Sequence, residues 1–255
     1  MVKKILSILL WVITAAAIVV LFIFARENYL TMPLKSINLI TETDTGFVRK
    51  TELQDELLKI CNKSRNIGTV DMMDIQKHLG ENPWIETNAS YIDLNGVLNV
   101  NFEEYQPQFR VWGKQGGSVY VTQEGVVVPS SMTYTPYVLI ASGNFDLIRS
   151  QKAYYLNDTI PEDINYLNAL HWSKAIGRNP FISNCVGQLY CNSKNQFELT
   201  MRGIDARVIV GDTCDASDKL NRLEIFIKQK INSNEIHGIK SINLNYKNQI
   251  VCTKR

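Results

Sequence analysis

The stretch IETNASYIDLNGVLNVNFEEY, residues 85–105, decides how the folded part of the chain is read. Two runs suited to extended structure, 85–93 and 97–105, flank Asn95-Gly96. That dipeptide is the strongest short hairpin signal, because both residues tolerate positive φ. In the second run Leu98, Val100 and Phe102 alternate with Asn99, Asn101 and Glu103, giving one apolar and one wet face. Upstream, Thr51 and Gln54 have capping-box spacing, and Leu53, Leu57, Ile60 and Cys61 share one helical face. A second helix starts at Asp71, aligns Met72, Ile75 and Leu79, and is stopped by Gly80 and Pro83. Ile37, Leu39 and Ile40 supply a short strand ahead of both. The expected order over 35–105 is strand, helix, helix, strand, strand.

From Ile5 to Phe24 there is no charged residue, and only Ser7 and Thr14 are polar. Twenty residues at 1.5 Å rise cover roughly 30 Å, the hydrocarbon thickness of a bilayer. Lipid offers no partners to backbone N–H and C=O groups, so such a span is a helix. A cleaved signal peptide is the rival reading, and Ala15-Ala16-Ala17 is similar to its cleavage site. Signal h-regions, however, run about 7–15 residues, and here the apolar run continues to Phe24. Lys3 and Lys4 precede the span, while Arg26 and Glu27 cancel after it. The positive-inside rule then leaves the N-terminus in the cytoplasm and sends the rest across. The expected parts are a tail at 1–4, a transmembrane helix at 5–24 and a linker at 25–34.

The remaining residues, 106–255, are strand-rich. Runs at 119–121 and 126–128 flank Gln123-Glu124-Gly125 as a hairpin, and 137–140 is another apolar run. Pro161 opens a helix that carries Ile164, Leu167 and Leu170 inward. Strands are expected around 181–190, 197–202 and 207–210, closing at Gly211. A helix over 217–231 aligns Leu220, Leu223, Ile227 and Ile231. Residues 241–246 then alternate, and a turn at Lys247-Asn248-Gln249 leads to a last strand at 250–252. There is no internal repeat.

Lys and Arg number 27 against 25 Asp and Glu, a net charge of +2. Three of the basic residues are Lys3, Lys4 and Arg26, so the body from Glu27 onward carries 24 basic and 25 acidic residues. A nucleic-acid binder concentrates basic charge on its folded part, which disfavours that class. His78, His171 and His237 lie far apart, without carboxylate or cysteine at ligand spacing, so no metal site is expected. None of the common acylating or zinc-hydrolase motifs occurs. Glu103-Glu104 read as lying on opposite faces of a strand and Glu52/Asp55/Glu56 on a solvated helix face, so neither set reads as an acid–base pair. Trp84, Trp112 and Trp172 read as core. The five cysteines, Cys61, Cys185, Cys191, Cys214 and Cys252, form no CxxC pair. Cys185 and Cys191 are either a disulfide across a hairpin or small buried hydrophobes. Sequons begin at Asn62, Asn88 and Asn157 and read as chance in an Asn-rich chain.

Five stretches, in this order and spacing, resemble the FtsQ/DivIB family of bacterial cell-division proteins. They are Val70-Asp71-Met72 through Asn82-Pro83-Trp84-Ile85; Leu98 to Pro107, with Glu104 and Pro107; Glu124-Gly125-Val126-Val127; Val208-Ile209-Val210-Gly211 with Lys219-Leu220; and Ile242-Asn243-Leu244-Asn245-Tyr246. The last departs from the family pattern, with Asn243 in place of an acid and Asn245 in place of an arginine. The resemblance implies an α+β chain: one N-terminal transmembrane helix, a POTRA domain (βααββ) over 35–105, and a mixed β domain over 106–255. That β domain carries an antiparallel-rich sheet and helices. The implied role is a divisome scaffold in the cell inner membrane with its domains in the periplasm. It is non-catalytic, without cofactor, nucleic acid or small-molecule substrate. The implied partners are FtsB/FtsL-like bitopic coiled-coil proteins and other divisome proteins. In the family an FtsB segment adds a strand beside the C-terminal strand. The matching residues are Ser241, Ile242, Asn243, Leu244, Asn245, Tyr246, Gln249, Ile250 and Val251. Tyr246 is the leading anchor, and periodicity alone would equally make it a core residue on the Ile242/Leu244 face. Alternatives are a membrane-anchored periplasmic cell-wall enzyme, a POTRA-type assembly factor and a eukaryotic type II glycoprotein.

Overall fold

The computed structural model describes residues 2–43, 45–61, 66–131, 134–148, 152–232 and 236–255. The sequon at 62–64 and the side chain of Ile231 lie outside the described residues. The chain divides into two compact units, Met1–Glu104 and Tyr105–Arg255.

Unit 1 begins with α1 (Val2–Thr31). Within its stretch Leu9–Thr31 an 18-residue window reaches a mean hydropathy of 2.5 with none of that window buried, so the helix is long and apolar enough to cross a bilayer. Residues 25–31, expected in the linker, continue this helix. No Gly or Pro interrupts them, and Pro33 disfavours helical backbone only at the residue before it. The chain then docks at once. Ile67 N–H donates to the Met32 carbonyl (2.8 Å), and Lys35 N–H donates to the Gly96 carbonyl (2.9 Å).

The body of unit 1 runs β1 (Ser36–Ile40), α2 (Lys50–Cys61), α3 (Met72–Glu81), β2 (Ile85–Ile92) and β3 (Val97–Glu104). The strands form one sheet in the order β1-β3-β2, with β1 parallel and β2 antiparallel to β3. Leu53, Leu57 and Cys61 of α2 and Ile75 and Leu79 of α3 are buried, as are Ile37, Leu98, Val100 and Phe102 of the sheet. Thr51 does not cap α2. The helix starts one residue earlier, and Leu53 N–H already donates to the Arg49 carbonyl. Asp71 does cap α3, accepting from the amides of Met73 and Asp74. The β2–β3 hairpin forms around Asn95-Gly96, but only Gly96 takes positive φ. The Asp93 carboxylate supplies the rest of the turn, accepting from the amides of Asn95 and Val97 at 2.9 Å each. Glu104 is 1% exposed. Its Oε2 accepts from Thr45 Oγ1 and from the amides of Phe47 and Val48, fixing the loop after β1. There Phe47 stacks on Trp84, with ring centroids 3.5 Å apart.

Unit 2 is built on one ten-stranded mixed sheet. Its strands are β4 (Pro107–Trp112), β5 (Ser118–Thr122), β6 (Val126–Pro129), β7 (Leu139–Gly143), β8 (Tyr154–Tyr155), β9 (Val186–Cys191), β10 (Phe197–Met201), β11 (Ile204–Gly211), β12 (Ile239–Asn243) and β13 (Val251–Lys254). In space they lie in the order β13-β12-β11-β10-β9-β7-β4-β5-β6-β8. Three helices, α4 (Ile164–Gly177), α5 (Pro180–Cys185) and α6 (Ala216–Asn232), share a core with the sheet. Phe109, Leu189, Phe197, Leu199, Val208 and Ile242 from the strands join Trp172, Leu220, Leu223 and Ile227 from the helices.

Several local expectations change in unit 2. The strand expected around 181–190 is half helix. Asn179 accepts from Ile182 N–H and Pro180 takes the first helical position, so α5 precedes β9. Neither β4 nor the two-residue β8 was expected. The inward face of α4 is rotated: Ile164 is exposed and Leu167 half-buried, while Tyr166, Ala169, Trp172, Ser173 and Ile176 are buried with Leu170. Trp112 is 43% exposed on the sheet, with the Arg110 guanidinium 4.7 Å over its ring, and is not core. Cys185 and Cys191 stand at the ends of α5 and β9, roughly 17 Å apart along a strand of that length. A disulfide needs Cα atoms within about 7 Å. All five cysteines are free.

Candidate partner-binding edge

The last two strands are the place to look for an open edge. β12 runs parallel to β11, with Arg207 opposite Ser241, Val208 opposite Ile242 and Ile209 opposite Asn243. On its other side it pairs antiparallel with β13, Ser241 opposite Thr253, Ile242 opposite Cys252 and Asn243 opposite Val251. Ser241, Ile242 and Asn243 are therefore flanked by strands of the same chain on both sides, and their backbone offers nothing to a partner. The unpaired edge belongs to β13, one strand further on, and all four of its residues are exposed. Such an edge presents N–H and C=O groups to any chain able to lie beside it. Arg255 N–H donates inward to the Gly238 carbonyl. Alternation along the strand then directs the backbone groups of Lys254 and Cys252 outward.

The other expected residues separate by environment. β12 ends at Asn243, so the period-2 pattern no longer governs the residues beyond it. Leu244 is buried, its amide donating to the Ile209 carbonyl at 2.9 Å. Tyr246 is 52% exposed and is not a core residue. Gln249 is exposed, Ile250 packs partly against the core and Val251 is exposed on β13. Asn243 and Asn245 make a local contact in place of an ion pair, with Asn245 N–H donating to Asn243 Oδ1 (3.0 Å). The Asn245 side chain lies against Gly211, at φ +70°, where a Cβ would overlap its Oδ1.

Two cations from α6 hold this end of the sheet. Lys219 is buried, and its Nζ donates to the carbonyls of Val210 and Asp212 and to Asp212 Oδ1 (2.8 Å). That hydrogen bond is the main reason the Asp212 carboxyl titrates below its ordinary range. Arg222 donates to the carbonyls of Gln249 (2.8 Å), Tyr246 (3.1 Å) and Leu244 (3.5 Å) and to Asp218 Oδ2 (2.8 Å). It thus clamps the turn that carries the chain from β12 into β13. Sequence reading missed Arg222. Its one signal was the i,i+4 spacing from Asp218, which marks any solvated helix pair.

Among the described residues no cluster of three or more His, Cys, Asp or Glu could hold a metal ion. Burial pushes the Cys191 thiol up to about 11, the opposite of a reactive cysteine.

A family model described as FtsQ/DivIB, C-terminal related, matches residues 106–253. A comparison with curated proteins finds no match. The matched segment covers more than half of the chain and nearly all of unit 2, including β12 and β13. The chain therefore belongs to the FtsQ/DivIB family of cell-division proteins.

Proposed function

We propose that this protein is a non-catalytic divisome scaffold, held in the cell inner membrane by α1 with its N-terminus in the cytoplasm. Both folded units then lie in the periplasm. Unit 1 serves as the POTRA domain, a reading supported by its β-α-α-β-β order and its β1-β3-β2 sheet. Unit 2 captures a segment of an FtsB/FtsL-like coiled-coil partner as an added strand. The observation that carries this is the open β13 edge at the end of the family-matched sheet. Backbone hydrogen bonds would supply affinity, and alternate side chains specificity. Of the residues expected to meet the partner, Asn245, Tyr246, Gln249 and Val251 are exposed and Ile250 partly so, and Cys252, Thr253 and Lys254 of the edge join them. Tyr246 contributes large, rigid contact area next to that edge. Depletion of the protein should block septation and yield filaments; normal division without it contradicts the proposal.

A further inference from the structure

The tip of the β2–β3 hairpin carries a leucine where turns favour small polar residues. Leu94 is 84% exposed. Singly exposed leucines are common, so exposure alone says little. Position says more. The hairpin tip is fixed to the end of α1: Tyr29 Oη donates to the carbonyls of Ile92 (3.1 Å) and Asp93 (3.3 Å). Leu94 shares a cleft with Ala25, Asn28 and Tyr29 of α1 and with Met32 and Pro33 just after it. A second close approach holds the same junction, since a Cβ on Gly68 would sit 3.0 Å from Leu30 Cβ.

These contacts set a height above the membrane. The apolar run ends at Phe24, and five residues to Tyr29 rise roughly 7–8 Å along a helix. Helical side chains lean toward the N-terminus, so the Tyr29 hydroxyl ends on the bilayer side of its own Cα. A leaflet's headgroup layer is about 5–8 Å deep. The tip lies within that layer, at the depth where tyrosine is enriched. The Asp93 carboxylate is occupied by the amides of Asn95 and Val97, which shapes the turn so that the leucine is its outermost apolar group.

We propose that Leu94 enters the headgroup layer of the bilayer that α1 spans, giving unit 1 a second membrane contact beside its helix. The contact fixes how the unit stands on the membrane. It rests on the reading of α1 as a membrane span, and the test separates the two. Full-length wild type, Leu94→Trp and Ile40→Trp are reconstituted in phosphatidylcholine/phosphatidylglycerol vesicles with lipids brominated at shallow or deep acyl positions. Ile40 is exposed at the opposite end of β1, about 13 Å further along the sheet, and serves as the comparison site. Emission added by the tryptophan at position 94 should be blue-shifted and lost with shallow bromine, while that added at position 40 should be unaffected. Emission due to Trp11, taken as wild type minus Trp11→Phe, should be lost with deep bromine. Quenching of Trp11 with water-like, unquenched emission from position 94 overturns the contact alone. Failure to quench Trp11 overturns the span and the contact with it.

Discussion

Arg222 holds three carbonyl oxygens and a carboxylate at once, and through them the turn that delivers β13 to the sheet edge. Hydrogen bonds from a charged donor contribute about 1.5–3 kcal/mol, so Arg222→Ala should lower stability by roughly that amount in urea unfolding. Amide exchange should also quicken at residues 251–254, and unchanged exchange there would deny the clamp. Gly211→Ala places a Cβ at positive φ, at a backbone cost of roughly 1–2 kcal/mol, and also against Asn245 Oδ1. Adding Asn245→Ala should recover the steric part only, a difference that a double-mutant cycle resolves. The depressed titration of Asp212 gives a pH signature. A carboxyl held below its unfolded value contributes stability above that value and loses it as the pH falls through the folded one. Between about pH 5 and 3, wild type should therefore lose more stability than Asp212→Asn. The sequence could not place Tyr246. Its alternation with Ile242 and Leu244 points inward, and only the end of β12 at Asn243 releases it to solvent.

At the scale of elements, the hairpins, α2, α3 and α6 were legible because local spacing governs them. α6 buries Leu220, Leu223 and Ile227 as their periodicity requires. α5, β4, the two-residue β8 and the identity of the sheet edge were not. α5 follows an Asn-Pro start signal, but Phe181, Ile182 and Cys185 also suit a strand, and the cap decides. Asn179→Ala should cost about 1 kcal/mol and lower the Tm, because the first turn of so short a helix has little else to satisfy its amides. β4 begins at a proline that reads as a boundary. The identity of the edge depends on pairing between distant segments: α6 carries the chain back so that β12 runs beside β11 and leaves β13 outermost. No property of residues 241–246 encodes that placement. The edge expected from sequence, 241–246 with 249–251, spans both strands, and of these only β13 is outermost.

For the whole molecule, the proposed scaffold role rests on two features, an apolar helix continuous with the first unit and an exposed strand at the end of the second. The opposite edge of the large sheet is only the two residues of β8, and Tyr154 there is tied to Asp163 Oδ2 at 2.9 Å. β13 is thus the edge for which partner capture is proposed. The most direct measurement is co-purification with the full-length chain in detergent, comparing wild type with Cys252→Pro and identifying the bound proteins. Proline removes an outward-facing amide without touching a hydrogen bond to β12. Wild type should bring down bitopic coiled-coil proteins of the FtsB/FtsL kind, and the variant, with unchanged near-UV circular dichroism, should lose them. Equal capture by the two proteins, or no such partner on wild type, would contradict the account.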